Sequence, residues 1–163
     1  MEIRKLTKEN VEDIYNCLLS NDEYNKMSND EVSRKVAEDM LSCRPPGIME
    51  ENKTLYGAFE EDKCIGISDV IFGYPDKETS FIGLLMIDGE HHKQGYGKRF
   101  YELIEKVIDS NAYKKIALGV LMNNMKGYTF WQKQGYVLKE IRKRKDTSEE
   151  TDIKYMEKEI KNT

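Results

Sequence analysis

Phe81-Ile82-Gly83-Leu84-Leu85-Met86-Ile87 is a nearly continuous apolar run, and the polar, glycine-bearing stretch His91-His92-Lys93-Gln94-Gly95-Tyr96-Gly97-Lys98 follows it closely. A short run that is apolar at almost every position, not at every second one, predicts a strand buried on both faces. Beyond the glycines, Phe100, Leu103, Ile104, Val107 and Ile108 recur at helical spacing. Ile116 to Leu121 then reads as another buried strand. Strand, glycine loop, helix and strand make a βαβ unit, whose two strands are expected to lie parallel.

The flanks complete a mixed domain. Glu2 to Leu6 reads as a strand, and Thr7 is placed to cap the helix carrying Val11, Ile14, Tyr15, Leu18 and Leu19 on one face. Ser28 and Glu31 have capping-box spacing ahead of a second helix bearing Val32, Val36, Met40 and Leu41. Arg44-Pro45-Pro46-Gly47 is a loop, because proline has no amide donor and disfavours helix before it. Leu55 to Phe59 and Cys64 to Phe72 read as strands joined by a turn at Glu61-Asp62-Lys63. On the far side, Asn124 to Gln134 predicts a short helix stopped by Gly135. Tyr136 to Ile141 and Ile153 to Met156 predict a closing antiparallel pair around a charged loop, Lys143 to Glu150. No repeat or linker interrupts the 163 residues, so one domain over 1–163 is expected.

Composition narrows the function. With 34% charged and 39% hydrophobic residues and no apolar run near the roughly 20 residues of a bilayer span, a membrane partner is not expected. The polar start Met1-Glu2-Ile3-Arg4-Lys5 has no signal-like apolar segment, and Cys17, Cys43 and Cys64 form no Cys-x-x-Cys pair. Both features suit a reducing cytoplasm. A net charge of −4 argues against bulk nucleic-acid binding. The charge is uneven: residues 1–62 hold 8 Lys and Arg against 15 Asp and Glu, a net of −7, and residues 63–163 are net +3. His91 and His92 are adjacent, do not share a helix face and have no third ligand at metal spacing, so no metal site is expected.

Gly95 and Gly97 let backbone approach a ligand closely where a strand hands over to a helix. The first helical amides have no internal partners, and the helix dipole favours an anion there. Lys93, Lys98 and Arg99 add positive charge. The mechanics point to a phosphate or pyrophosphate, although a tight turn uses the same residues. A dinucleotide fingerprint would need glycine where Phe100 stands. A P-loop would need glycine at His92 and Ser or Thr at Arg99.

The sequence resembles the GCN5-related N-acetyltransferase (GNAT) superfamily, whose cofactor motif is Gln/Arg-x-x-Gly-x-Gly/Ala, here His92-Lys93-Gln94-Gly95-Tyr96-Gly97. The family's later stretch, an Asn followed by a short helix with an aromatic end and then Gly-aromatic, matches Asn124 to Tyr136. The resemblance covers essentially the whole chain. It implies a mixed α/β (α+β) fold: a mostly antiparallel sheet, a central splayed parallel strand pair and about four helices. It implies acetyl-CoA as cosubstrate and a primary amine as acceptor, with direct attack through a tetrahedral intermediate. It implies that Leu85 and Ile87 pair through their backbone with the pantetheine arm. It also implies that His92, Lys93, Gln94, Gly95, Tyr96, Gly97 and Lys98 hold the pyrophosphate, and that Asn124 and Trp131 border the cofactor.

The chain departs from the family in three places. His92 replaces the usual Gln or Arg. Phe81 stands where some members have a glutamate base. Trp131 stands where many have a tyrosine that protonates the departing thiolate, which leaves Tyr128, one turn earlier, as the candidate acid. An alkyl amine is only about 0.04% neutral at pH 7, so a base or water chain must act. Asp69, Asp88 and Glu90 are candidates by neighbourhood alone. The acidic first part suits a small cationic acceptor. A monomer or homodimer is expected. The rivals are a non-catalytic acyl-CoA-binding or regulatory module, and a structural partner-binding domain.

Overall fold

The chain is described here by a computed structural model, which describes residues 1–111, 113–143 and 152–160. Seven strands form one sheet in the order β1-β2-β3-β4-β5-β7-β6. They are β1 (Glu2–Lys5), β2 (Lys53–Glu60), β3 (Lys63–Phe72), β4 (Thr79–Ile87), β5 (Lys115–Leu121), β6 (Val137–Arg142) and β7 (Ile153–Glu159). Every neighbouring pair is antiparallel except β4 and β5, which are parallel as the βαβ reading requires. The closing pair is antiparallel, but β7 lies inside it, next to β5, and β6 takes the edge. Most of the charged loop at Lys143 to Glu150 lies outside the described residues.

Five α-helices occur among the described residues: α1 (Val11–Leu19), α2 (Asp22–Ser28), α3 (Arg34–Asp39), α4 (Tyr96–Ser110) and α5 (Met125–Lys133). The first half differs from expectation. Ser28 ends a separate helix, α2, which closes at Asn29 in the left-handed region (φ 57°). The cap of α3 is Ser33, whose hydroxyl accepts the Val36 amide at 3.1 Å. The periodicity of Val32 to Leu41 located the helix, but a closer serine supplied the cap. Thr7 and Asn10 form a capping box on a single 3-10 turn that leads into α1.

Each face of the sheet carries its own core. One face packs Leu55, Phe59, Ile67 and Met86 against Ile14, Cys17, Leu18 and Ala37 of α1 and α3. The other packs Ile65, Val70, Ile82, Ile116 and Leu118 against Phe100, Ile104 and Ile108 of α4 and Trp131 of α5. The central strands need side chains apolar on both faces, which explains the unbroken apolar runs.

Candidate active site

Parallel pairing between β4 and β5 runs from Thr79 opposite Lys115 to Ile82 opposite Leu118 and goes no further. Beyond that point the two strands part. A bulge marks the place: Val70 of β3 faces Ile82 and Asp69 faces Leu84, so Gly83 is an extra residue on β4. A cavity of about 990 Å³ fills the opening. Its walls include Gly83 to Ile87, Leu118 to Leu121, the glycine loop and α5. It continues to Tyr24, Asp30, Glu31, Val36 and Met40 on the α1–α3 side.

The free edge of β4 follows from its hydrogen-bond alternation. The Asp88 amide donates to the Ile65 carbonyl of β3 at 2.8 Å. Alternate amides therefore face β3, and those of Leu85 and Ile87 face the opening. The Ile87 carbonyl is already occupied: it accepts Asn21 Nδ2 at 3.1 Å and lies 2.8 Å from His92 Nε2. A carbonyl can only accept, so Nε2 carries a proton and His92 ties the glycine loop to the end of β4. This bond is a physical reason for histidine at the first motif position.

At the loop, Lys93 (φ 62°) and Gly95 (φ 81°) both take left-handed backbone, which glycine tolerates best. Gly95 is the N-cap of α4, and the first bond inside the helix runs from the Arg99 amide to the Gly95 carbonyl at 3.3 Å. The amides of Tyr96, Gly97 and Lys98 precede it and are available to an anion. Gly97 faces Phe130 and Ile87 across the opening. The side chain of Gln94 donates to the Glu90 carbonyl at 3.2 Å, and Tyr96 stacks edge-on against His91, so both side chains serve the loop itself.

On α5, Asn124, Gly127 and Trp131 form a stripe at i, i+3 and i+7 that lines the cavity. Asn124 Oδ1 caps α5 by accepting the Gly127 amide at 3.0 Å, leaving its Nδ2 to offer. Trp131 is buried edge-on between Tyr101 and Tyr136. Tyr128 is not brought to the cavity. It lies outside the lining, packed against the core, with Lys154 Nζ 3.9 Å from its ring centroid. The structure therefore gives no geometric support to the expected acid role of Tyr128. Asp88 and Glu90 also stand outside the lining. Asp88 caps the turn after β4 and lies 3.6 Å from His91, and Glu90 is an exposed partner of Lys63. Asp69 does line the cavity, and its carboxylate meets Lys53 Nζ at 2.6 Å. Burial pushes the Asp69 carboxyl above its ordinary range, and Lys53 opposes that rise. Lys53 and Asn21 were missed in the sequence, since neither belongs to a local motif.

The model of the GNAT acetyltransferase domain matches residues 3–156. The chain belongs to the GNAT family. Searching curated protein sequences finds no match. The GNAT fold recurs in an acetyltransferase from Thermus thermophilus, at a TM-score of 0.78 and 18% identity over 98% of this chain and 96% of that one. The ribosomal-protein-alanine N-acetyltransferase of Brucella melitensis gives 0.75 at 14% identity, covering 98% and 100%. The PaiA N-acetyltransferase of Thermoplasma acidophilum, solved in complex with coenzyme A, gives 0.71 at 18% identity, covering 98% of each chain. At such identities these likenesses speak for the fold. As a GNAT protein, the chain is an acetyltransferase of a family that uses acetyl-CoA. Among the described residues no helix is long and apolar enough to cross a membrane, and no group of three His, Cys, Asp or Glu could hold a metal ion.

Proposed function

We propose that this GNAT protein transfers the acetyl group of acetyl-CoA to a primary amine, and that the acceptor is a small cation. The observation that carries the proposal is the continuous cavity, anion-binding amides at one end and carboxylates at the other, with the parted strands between. The amides of Tyr96, Gly97 and Lys98, with Lys93 and Lys98 nearby, suit the pyrophosphate of the donor. The Leu85 and Ile87 amides suit the pantetheine arm, and an amide on this edge can stabilise negative charge on the thioester oxygen. Gly97, Asn124 and Trp131 wall the channel. The donor supplies an activated acyl carbon. The protein aligns the amine with it. Asp30 and Glu31 on the acceptor side favour a positively charged partner, while Asp69 is already paired with Lys53. Two of the structural neighbours are N-acetyltransferases, which agrees with nitrogen as the acceptor atom.

The first test is thermal unfolding with acetyl-CoA, desulfo-CoA and ATP, followed by thiol release with a panel of cationic, neutral and acidic amines. The expected result is stabilisation by the CoA compounds alone and the fastest release with a cationic amine. Absence of any CoA effect at saturation would remove the cofactor assignment. Preference for a neutral or acidic acceptor would remove the cationic one.

A further inference from the structure

We infer that Asp69 is the proton acceptor for the incoming amine and that Lys53 is the positioning residue that keeps it ionised; this rests on the amine-acetylation reading above. Asp69 sits on β3 at the bulge, directly beside Gly83. A β-carbon built on Gly83 would lie 3.0 Å from Asp69 Oδ2, so glycine leaves that oxygen uncovered at the point where β4 and β5 separate. The other oxygen, Oδ1, is held by Lys53 Nζ at 2.6 Å. Lys53 Nζ also donates to the Cys43 carbonyl at 2.7 Å. The lysine side chain is 1% exposed and that of the aspartate 20%. One oxygen is thus fixed from behind and the other is open to the cleft. Lys53 is the charged side chain that meets Asp69 among the described residues. The residues facing it on β4, Ile82, Gly83 and Leu84, carry no ionisable group, and neither does its β2 partner Leu55.

The proton balance is complete. The ammonium gives one proton to the Asp69 carboxylate, which passes it to solvent. The neutral amine attacks the thioester carbon, a C–N bond forms and the C–S bond breaks. The nitrogen gives up its second proton, which ends on the departing sulfur. The net products are the amide, CoA thiol and one proton. A lone buried carboxylate would neutralise itself by taking a proton. The Lys53 charge holds it ready as a base, while burial keeps its basicity above that of a surface aspartate.

The experiment compares Asp69→Asn with the parent on two acceptors: the best alkyl ammonium from the panel, and a fluorinated alkyl amine that is neutral at pH 7. With the alkyl ammonium, the variant is expected to lose about 10²–10⁴-fold in kcat/KM at pH 7. The acid limb set by Asp69 is also expected to give way to one set by the amine itself. The variant's kcat/KM then climbs tenfold per pH unit toward the pKa of the free amine, about 10.4 for a lysine-like amine. With the fluorinated amine the loss is expected to be under tenfold. Lys53→Met is expected to move the acid limb to higher pH. The double variant Lys53→Met/Asp69→Asn, which buries no charge at this site, repeats the two-amine comparison if Asp69→Asn folds poorly. CoA-dependent stabilisation reports in both that the donor site is intact. An equal loss on both amines means a structural role and overturns the inference. An unchanged rate or an unchanged acid limb does the same. If the parent turns over no amine while CoA still stabilises it, the acetylation reading fails and the inference falls with it.

Discussion

Removing the buried cation from beneath the cleft is the sharpest test of the energetics. Lys53→Met keeps the length and apolar stem of the side chain but deletes the ammonium that meets Asp69 Oδ1 at 2.6 Å and the Cys43 carbonyl at 2.7 Å. Breaking a buried pair by removing one partner typically costs about 3–5 kcal/mol, because the other charge is left unpaired. In a chain of this size each kcal/mol moves Tm by roughly 2–4 °C, so a fall of about 10 °C is expected near pH 8. The cost must depend on pH. Burial already raises the folded-state pKa of Asp69 above its ordinary value, and losing Lys53 raises it further. A carboxyl whose folded pKa exceeds its unfolded pKa holds more protons in the native state within that window. Stability is therefore lost as pH rises through the folded pKa and regained as pH falls. Each unit of extra shift is worth about 1.4 kcal/mol. Urea unfolding of parent and variant at pH 5 and pH 8 reads the difference directly. The variant is expected to lose less at pH 5, and adding Asp69→Asn is expected to recover part of the pH 8 loss. A penalty equal at both pH values would mean that the lysine acts through packing and its bond to the Cys43 carbonyl, not through Asp69.

Gly97→Leu is expected to leave the unliganded Tm equal or slightly raised, since glycine is a poor helix former and the nearest neighbours of the new β-carbon, Phe130 and Ile87, lie at ordinary contact distances. It is expected to abolish the roughly 5–10 °C rise that acetyl-CoA at 100 times its Kd gives the parent; a full rise in the variant would move the cofactor elsewhere. Gly89→Ala drives a β-carbon into the Ser20 carbonyl oxygen, which is backbone and cannot step aside. A loss of about 1–3 kcal/mol is expected, read by urea unfolding, with weaker CoA stabilisation because this turn carries the glycine loop. Thiol labelling of the native protein at pH 7.5 is expected to mark the exposed Cys43 first. Cys64, pushed up to about 11, is only about 0.03% thiolate there, and buried Cys17 is shifted further in the same direction, so both wait for unfolding. Mass mapping of the early adduct checks the order.

The βαβ unit was legible because each of its parts is local. An apolar run, a glycine loop and a helical stripe each lie within a few residues, and β4, α4 and β5 formed where the pattern placed them. The family resemblance added the mostly antiparallel sheet and the splayed strand pair, which periodicity alone does not contain; the place of β7 inside β6 was in neither. Local cap signals were less secure. Ser28 precedes the Val32-to-Leu41 stripe and Ser33 stands inside it, and the backbone turn at Asn29, which closes a separate helix, leaves the cap to Ser33. Spacing alone does not place Tyr128 in the cavity lining. A residue three before Trp131 sits about 60° away around the helix. The stripe that faces the cavity is Asn124, Gly127 and Trp131, with Phe130 beside it, and Tyr128 lies outside that lining with Lys154 over its ring.

Asp69 shows why a sequence can name a carboxylate by neighbourhood, beside Asp88 and Glu90, without choosing among them. Its face is set by register, and register here is broken by one extra residue on another strand, Gly83, fourteen positions away. Sliding that bulge by one residue would turn the side chains of β4 to the other side, so the residue beside Asp69 Oδ2 would no longer be glycine. Its partner is equally non-local. A lysine at the start of a strand is ordinarily solvated, and nothing within its own segment indicates that Lys53 is buried between Asp69 and the Cys43 carbonyl. Three segments far apart in the chain meet at one carboxylate. The absence of a glutamate at position 81 therefore does not leave the reaction without a base. The requirement is a carboxylate beside the point where the strands part, and β3 can supply it as well as β4, provided the bulge carries no side chain to cover it.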